Sequence, residues 1–387
     1  MSEATRARRG IMARTETYLD WNATTPLRPE AAAAMSAVLA RCGNPSSVHR
    51  WGRWARQAVE QARSTVGALL DAPPEGVVFV SGGTEANHLA LLGSGRDRII
   101  VSAVEHDSVL RAVPTAERIP VDRHGVVVLD ALDRILAADP RPALVSVMFA
   151  NNETGVVQPV AAIGAIARAH GALFHCDAVQ AAGKIALDTG AIGADLVTLS
   201  AHKLGGPPGI GALVVMGELE LTPLLRGGDQ ERGRRAGTEN LVGIAGFGAA
   251  AVAAAEEIAV YRRIRRLRDA LEAGVARVAR EAAVLGAGAP RLPNTSAIAM
   301  PGVAAETQVI ALDLDGVMVS AGAACSSGKV GPSHVLKAMG VGPDILRSTI
   351  RVSLGWGSSE ADVAHFLTAW TTLHKRCRGS SFGARAA

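Results

Sequence analysis

Asp195-Leu196-Val197-Thr198-Leu199-Ser200-Ala201-His202-Lys203-Leu204-Gly205-Gly206-Pro207-Pro208-Gly209 opens on a run that is apolar on both faces and closes on a glycine/proline turn. Strands of that pattern lie buried between two layers of helix. Working outward, similar runs recur at Val77–Ser81, Ile99–Ser102, Ala143–Phe149, Ala172–Asp177 and Gly211–Met216, separated by helical stretches. Strand–helix alternation of this kind predicts an α/β domain with a mostly parallel sheet. In such sheets ligands bind outside the carboxyl ends of the strands, so the residues just after each strand carry the functional reading.

A chain of 387 residues is too long for one simple core and predicts two domains. After Glu239 the pattern changes to a long helical region through Val252 to Arg280. A Gly/Pro break follows at Gly286 to Pro293, and then a smaller α+β unit to about Thr372. The predicted division is a disordered leader over 1–17, a large domain over 18–260 and a small domain over 261–375. The opening residues of the large domain are expected to pack on the small one, and 376–387 reads as a disordered tail.

With 48% hydrophobic and 20% charged residues, the profile is that of a soluble globular protein. The net charge of +4 is spread along the chain, and the local cluster Arg262, Arg263, Arg265, Arg266 and Arg268 reads as a solvated helix rather than a nucleic-acid surface. The most apolar run, Leu241 to Ala255, is too short to span a bilayer. The leader is arginine-rich but lacks an apolar signal core, which points to the cytoplasm. Cys42, Cys176, Cys325 and Cys377 form no CxxC pair, so neither a disulfide framework nor a zinc site is suggested.

Lysines number five among 40 basic residues, at 184, 203, 329, 337 and 375. A lysine kept in an arginine-biased chain hints at chemistry arginine cannot do, such as a Schiff base. Four of the five read as ordinary surface residues. Lys203 is set apart by its place between a buried strand and a Gly/Pro turn, with Ser200 and His202 as flanking donors suited to a phosphate. Upstream, Val77–Ser81 runs into Gly82-Gly83-Thr84-Glu85-Ala86-Asn87, and two glycines at a helix start form an anion cradle. There is no GxxxxGK[ST], so a nucleotide is not the obvious owner of that phosphate. Asp177 ends another predicted strand, where a carboxylate could pair with a pyridine nitrogen or cap the next helix. His175 and Cys176 beside it are read as core residues, not ligands.

These residues carry a resemblance. Ser81 to Asn87, Asn151-Asn152-Glu153-Thr154-Gly155, His175 to Gln180, Ser200 to Gly206 and Arg235-Ala236-Gly237-Thr238-Glu239-Asn240 occur in the order seen in class-V, fold-type-I enzymes of pyridoxal 5'-phosphate (PLP). They are similar in particular to NifS/IscS-like cysteine desulfurases, over roughly Tyr18 to Thr372. The resemblance implies an aspartate aminotransferase-like fold. In it Lys203 holds PLP as a Schiff base and Asp177 pairs with the ring nitrogen. Gln180 lies near the ring oxygen and His106 stacks over the ring. Gly83, Thr84, Ser200 and His202 would hold the phosphate, with Thr238 reaching it from the neighbouring subunit of a homodimer. Asn152 and Arg351 would position the substrate.

Cys325 decides the reaction implied. It sits among small residues in Ala321-Gly322-Ala323-Ala324-Cys325-Ser326-Ser327-Gly328-Lys329, with nothing bulky to bury its sulfur. Lys329 and His334 nearby could favour the thiolate. In the resemblance this is the persulfide-forming cysteine, although Ala-Gly-Ala-Ala-Cys-Ser departs from the commoner Ser-Gly-Ser-Ala-Cys-Thr. The implied reaction converts L-cysteine to L-alanine, with Lys203 as base and His106 as proton manager. The sulfur would pass to an acceptor such as an iron–sulfur scaffold or a tRNA-thiolation protein. Rival readings are a selenocysteine lyase, a class-V aminotransferase and a non-catalytic scaffold on the same fold. No metal, membrane or direct nucleic-acid partner is expected.

Overall fold

The computed structural model describes residues 16–322 and 332–383. Its centre is a seven-stranded sheet, in the order Val77–Val80, Gly211–Val215, Leu196–Ser200, Leu173–Asp177, Ala143–Ser146, Arg98–Ser102 and Glu117–Ile119. Gly211–Val215 pairs antiparallel with both of its neighbours, and the other strands all run the opposite way to it. Most of these strands are buried along their whole length, which is why they read as near-continuous apolar runs. Glu117–Ile119 escapes such a reading because it is a short edge strand with two exposed residues.

One face of the sheet is covered through Val59, Val66, Ile163, Ile244 and Phe247, the other through Leu89, Leu91 and Val109. The Gly/Ala-rich run forms the helix Leu241–Glu256. Its small residues permit close approach: a Cβ on Gly248 would lie 2.8 Å from Ala62 Cα, and one on Gly246 2.8 Å from Met35. No single helix among the described residues is long and apolar enough to cross a membrane. The long helical region breaks at a 3-10 turn, Ile258–Val260, and resumes as Tyr261–Val278 at 52° to the first part.

A second core gathers Leu19, Ile264, Leu271, Ile298, Val352, Phe366 and Trp370. Its four-stranded sheet pairs Thr295–Ala299 antiparallel with Ala283–Leu285 and Thr349–Ser353, and the last with Ser320–Ala321. Of the arginine cluster, Arg262, Arg265 and Arg266 face solvent. Arg268 instead is buried and donates to Leu292 O at 2.6 Å.

Two end regions differ from expectation. Thr17, placed at the end of a disordered leader, is buried in a short strand with Tyr18, parallel to Val317–Met318, and its hydroxyl meets Asp362 and His365. The closing helix runs Glu360–Gly383, so 376–383 is helical where composition predicts a tail. Arg378 pairs with Glu281 there, anchoring a stretch that a count of small residues marks as loose.

Candidate active site

The carboxyl ends of the parallel strands open onto one cavity of about 340 Å³. Lys203 reaches it from a 3-10 turn, Ala201–Lys203, that ends the Leu196–Ser200 strand. Gly205 is required just beyond: its φ is +95°, and a Cβ would meet Arg28 Cγ at 2.4 Å. Lys203 Nζ donates to Asn22 O at 2.5 Å and Ala23 O at 2.8 Å. His202 Nδ1 lies 3.2 Å from Thr24 Oγ1. Burial, then the Lys203 charge, push its pKa down to about 4, so the ring is neutral near pH 7.

Asp177 closes the adjacent strand. Its Oδ1 accepts from Val179 N at 3.0 Å and its Oδ2 from Asn87 Nδ2 at 2.8 Å. Thus one oxygen makes the local turn bond expected of a capping aspartate, while the side chain still lines the cavity. Asn87 comes from the helix Gly83–Gly93, whose first-turn N–H groups have no partner within the helix.

His106 both caps a helix and lines the cavity. Its Nδ1 accepts from Ser108 N at 3.1 Å as the cap of the short helix Asp107–Leu110, and the ring lines the cavity. Accepting at Nδ1 assigns the proton of the neutral ring to Nε2. Below it Glu105 is fully buried, taking Ser102 Oγ at 2.5 Å and Met148 N at 2.8 Å on Oε1. Burial pushes this carboxyl up to about 8 against those two bonds, and the Asp177 carboxylate adds to the rise.

From the second core, Arg351 projects into the cavity off the Thr349–Ser353 strand. Its Nη2 donates to Asp20 Oδ1 at 2.7 Å and its Nη1 to Asn152 O at 3.3 Å. Gly83, Thr84, Asn152, Gln180 and Ser200 also line the cavity, so ten of the twelve residues singled out by the sequence meet there. Thr238 does not; it lies in a separate pocket with Ser81, Glu231 and Arg235. Cys325 and Lys329 lie outside the described residues. His334, just beyond them, bonds Glu105 O through Nε2 at 2.8 Å.

Asn22 and Asn87 line the cavity and were missed by sequence reasoning, as was Lys184, which bonds to the lining residues Asn22 and Gln180. Asn87 stands in a motif quoted for its neighbours, and the signal was a polar residue that the local apolar pattern does not require. Lys184 was expected at the surface but is 2% exposed. His175 is buried between Ser146 Oγ and Thr198 Oγ1, both at 2.9 Å, and burial holds its pKa down to about 4. The described residues contain no cluster of metal-ligating side chains.

An amine, a carboxylate, a helix start and a guanidinium around one cavity suit a cofactor carrying an aldehyde, a basic ring nitrogen and a phosphate. Two buried atoms on its lining, Asn87 Oδ1 and Arg351 Nε, have no hydrogen-bond partner among the described residues. A bound polar molecule would relieve both. Residues 17–366 match the aminotransferase class-V family.

The chain belongs to the aminotransferase class-V family.

Members of this family are PLP-dependent enzymes, and the residues present fit that cofactor. A cysteine desulfurase of Cereibacter sphaeroides is 43% identical, over 95% of this chain and 98% of its own. An IscS-like cysteine desulfurase of Mycobacterium tuberculosis is 38% identical, over 96% and 99%. Among solved structures, a NifS-like protein from Rickettsia africae superposes with a TM-score of 0.87 at 34% identity, covering 93% of this chain and all of that one. The class-V fold expected from the motifs is therefore the fold found.

Proposed function

We propose that this class-V enzyme is a cysteine desulfurase. It takes sulfur from L-cysteine, releases L-alanine and holds the sulfur as a persulfide on Cys325 before passing it to an acceptor protein. The acceptor is of the iron–sulfur scaffold or tRNA-thiolation kind. The observation that carries this reading is the convergence of Lys203, Asp177 and His106, from three different strand ends, on one cavity. The relatives named above supply the choice of reaction.

Bound PLP supplies an electron sink for the charge released at the substrate α-carbon. Lys203 Nζ anchors the cofactor and then takes the α-proton. The Asp177 carboxylate holds the proton on the ring nitrogen, and Asn87 orients that carboxylate. Gly83, Thr84, Ser200 and His202 bind the phosphate, joined by Thr238 of a second subunit in a homodimer. Gln180 faces the ring oxygen. Arg351 and Asn152 hold the substrate carboxylate, with the unpartnered Nε of Arg351 as one donor. His106 moves a proton at the substrate thiol through Nε2. Cys325 Sγ then attacks that sulfur, so an S–S bond forms as the substrate C–S bond breaks. The β-carbon takes a proton and Lys203 returns one to the α-carbon, giving alanine. Residues 18–260 and 261–375 act as two units, and the protein works in the cytoplasm.

One experiment tests the reading. Protein reconstituted with PLP and given L-cysteine should form alanine at the rate it forms sulfide in the presence of a thiol reductant. Lys203→Ala should retain no PLP after borohydride reduction. Covalent trapping of PLP by that variant, or the absence of alanine from the unaltered protein, overturns it.

A further inference from the structure

Lys184 stands four residues after Gln180 on the turns that follow the Leu173–Asp177 strand. It is 2% exposed, and its Nζ donates to Asn22 Oδ1 at 3.0 Å and to Gln180 Oε1 at 2.7 Å. Burial lowers its pKa well below the usual value, and the charges of Lys203 and Arg351 lower it further. An amine in such a place costs free energy that an apolar chain of the same length would not. Its acceptors show what it does there.

A glutamine amide has an acceptor end and a donor end, and its neighbours decide which way it points. Gln180 Oε1 meets the lysine donor, and Gln180 Nε2 donates to the carbonyl Asn22 O at 3.0 Å. A flipped amide would set its C=O against the Asn22 carbonyl and lose the bond in which Lys184 donates to the amide oxygen. The amide is thus pinned at both ends, and the second N–H of Nε2 is left for the cavity that Gln180 lines. Asn22 is itself held by Asn294 Nδ2 at 3.0 Å and Thr295 Oγ1 at 2.8 Å.

We propose that Lys184 is a positioning residue for the cofactor: with Asn22 it fixes Gln180 so that an N–H, and not the amide carbonyl, meets the ring oxygen of bound PLP. This rests on the PLP reading above. A donor at that oxygen makes it a weaker base, so it holds less tightly the proton it shares with the nitrogen linked to Lys203. Loss of the donor therefore raises the pH at which the absorption of the lysine-linked cofactor changes.

The test titrates that absorption in holoenzyme, with full cofactor content checked by alkaline release. Lys184→Met should raise the midpoint by roughly one pH unit, the size of one hydrogen bond. Gln180→Ala should raise it equally, and the double variant no further. Lys184→Gln, which keeps an N–H donor, should fall between wild type and Gln180→Ala; it carries the test if Lys184→Met yields no holoenzyme. A purely structural lysine would alter melting temperature or cofactor content and leave the midpoint in place. A wild-type midpoint in either Lys184 variant, or additive shifts in the double variant, overturns the proposal. Wild-type protein that acquires no lysine-linked absorption overturns the PLP reading instead, and is recognised before any variant is titrated.

Discussion

Arg351 Nη2 rests 2.7 Å from Asp20 Oδ1, an ion pair between residues 331 positions apart in the chain. The same carboxylate accepts from Ser320 Oγ at 2.8 Å on its other oxygen. The guanidinium side chain is only 3% exposed, so the pair fixes it with its Nε edge unpartnered. That edge is where the proposed contact with a substrate carboxylate would fall.

Arg351→Ala is therefore expected to raise the KM for L-cysteine by roughly a hundredfold, the worth of a charge-assisted hydrogen bond of about 2–3 kcal/mol. Cofactor content should be unchanged. Asp20→Asn should raise KM by a smaller factor, since the fork remains but is less firmly held. Steady-state kinetics with L-cysteine check both. A KM near wild type in Arg351→Ala removes the residue from substrate binding.

Asn87 donates to Asp177 Oδ2, the oxygen not used in the turn bond to Val179. Asn87→Ala should slow α-proton exchange by about tenfold, matching the loss of one hydrogen bond to a carboxylate. Asp177→Ala should slow it far more. Deuterium exchange at the α-carbon of L-alanine, followed by NMR, reports this without sulfur transfer.

Cysteine reactivity should sort by surroundings. Cys42 is exposed and should be alkylated at once in native protein. Cys176 is fully buried, and burial raises its pKa well above normal, with Asp177 and Glu105 adding to the rise, so it should react only on unfolding. After brief exposure to L-cysteine, peptide mass spectrometry should find one added sulfur on the Cys325 peptide. Cys325→Ser should bind PLP and exchange the α-proton yet release almost no alanine. Alanine release at the wild-type rate from that variant would favour direct expulsion of the sulfur.

Glu105 predicts a pH trend in stability. Unfolded, its carboxyl ionises near 4.5; folded, it keeps its proton to about 8. Between those values the folded state binds the extra proton, so stability falls as pH rises through the window and levels off above it. Glu105→Gln carries no proton to lose and should flatten the decline. Melting temperatures of the two proteins across that range check the sign.

The strand-end motifs were legible because catalysis constrains single positions locally. A glycine at a left-handed turn, a lysine after a buried strand and an aspartate at a strand end each stand out within a few residues. Asp20 and Asn22 were not legible as site residues, since their partners Arg351, Ser353, Asn294 and Thr295 lie some 270 positions or more away. Lys184 was misread because composition says nothing about burial, and its partner Gln180 was read only for what it does to the cofactor. The helix break at 257–260 was hidden because Ala and Arg favour helix on both sides of it. The helical turn pattern through 376–383 was masked by Gly379 and the two serines that follow it.

The stretch from Thr17 to Thr25 is among the first of the described chain to be made, yet its partners are among the last. Asp20 bridges to Ser353, Ser353 N donates to Leu19 O at 2.8 Å, and Asn22 N donates to Ser353 Oγ at 2.9 Å. The carbonyls of Asn22 and Ala23 that receive Lys203 are thus held in place by a strand near the far end of the chain. On a ribosome adding about 5–20 residues per second, the large sheet can form well before that strand emerges. The pocket stays unfinished until Thr349–Ser353 has been made. A nascent polypeptide that lacks Thr349–Ser353 therefore lacks the strand that holds the carbonyls receiving Lys203. Ribosome-arrested chains that stop short of Thr349 should accordingly form no reducible link to PLP.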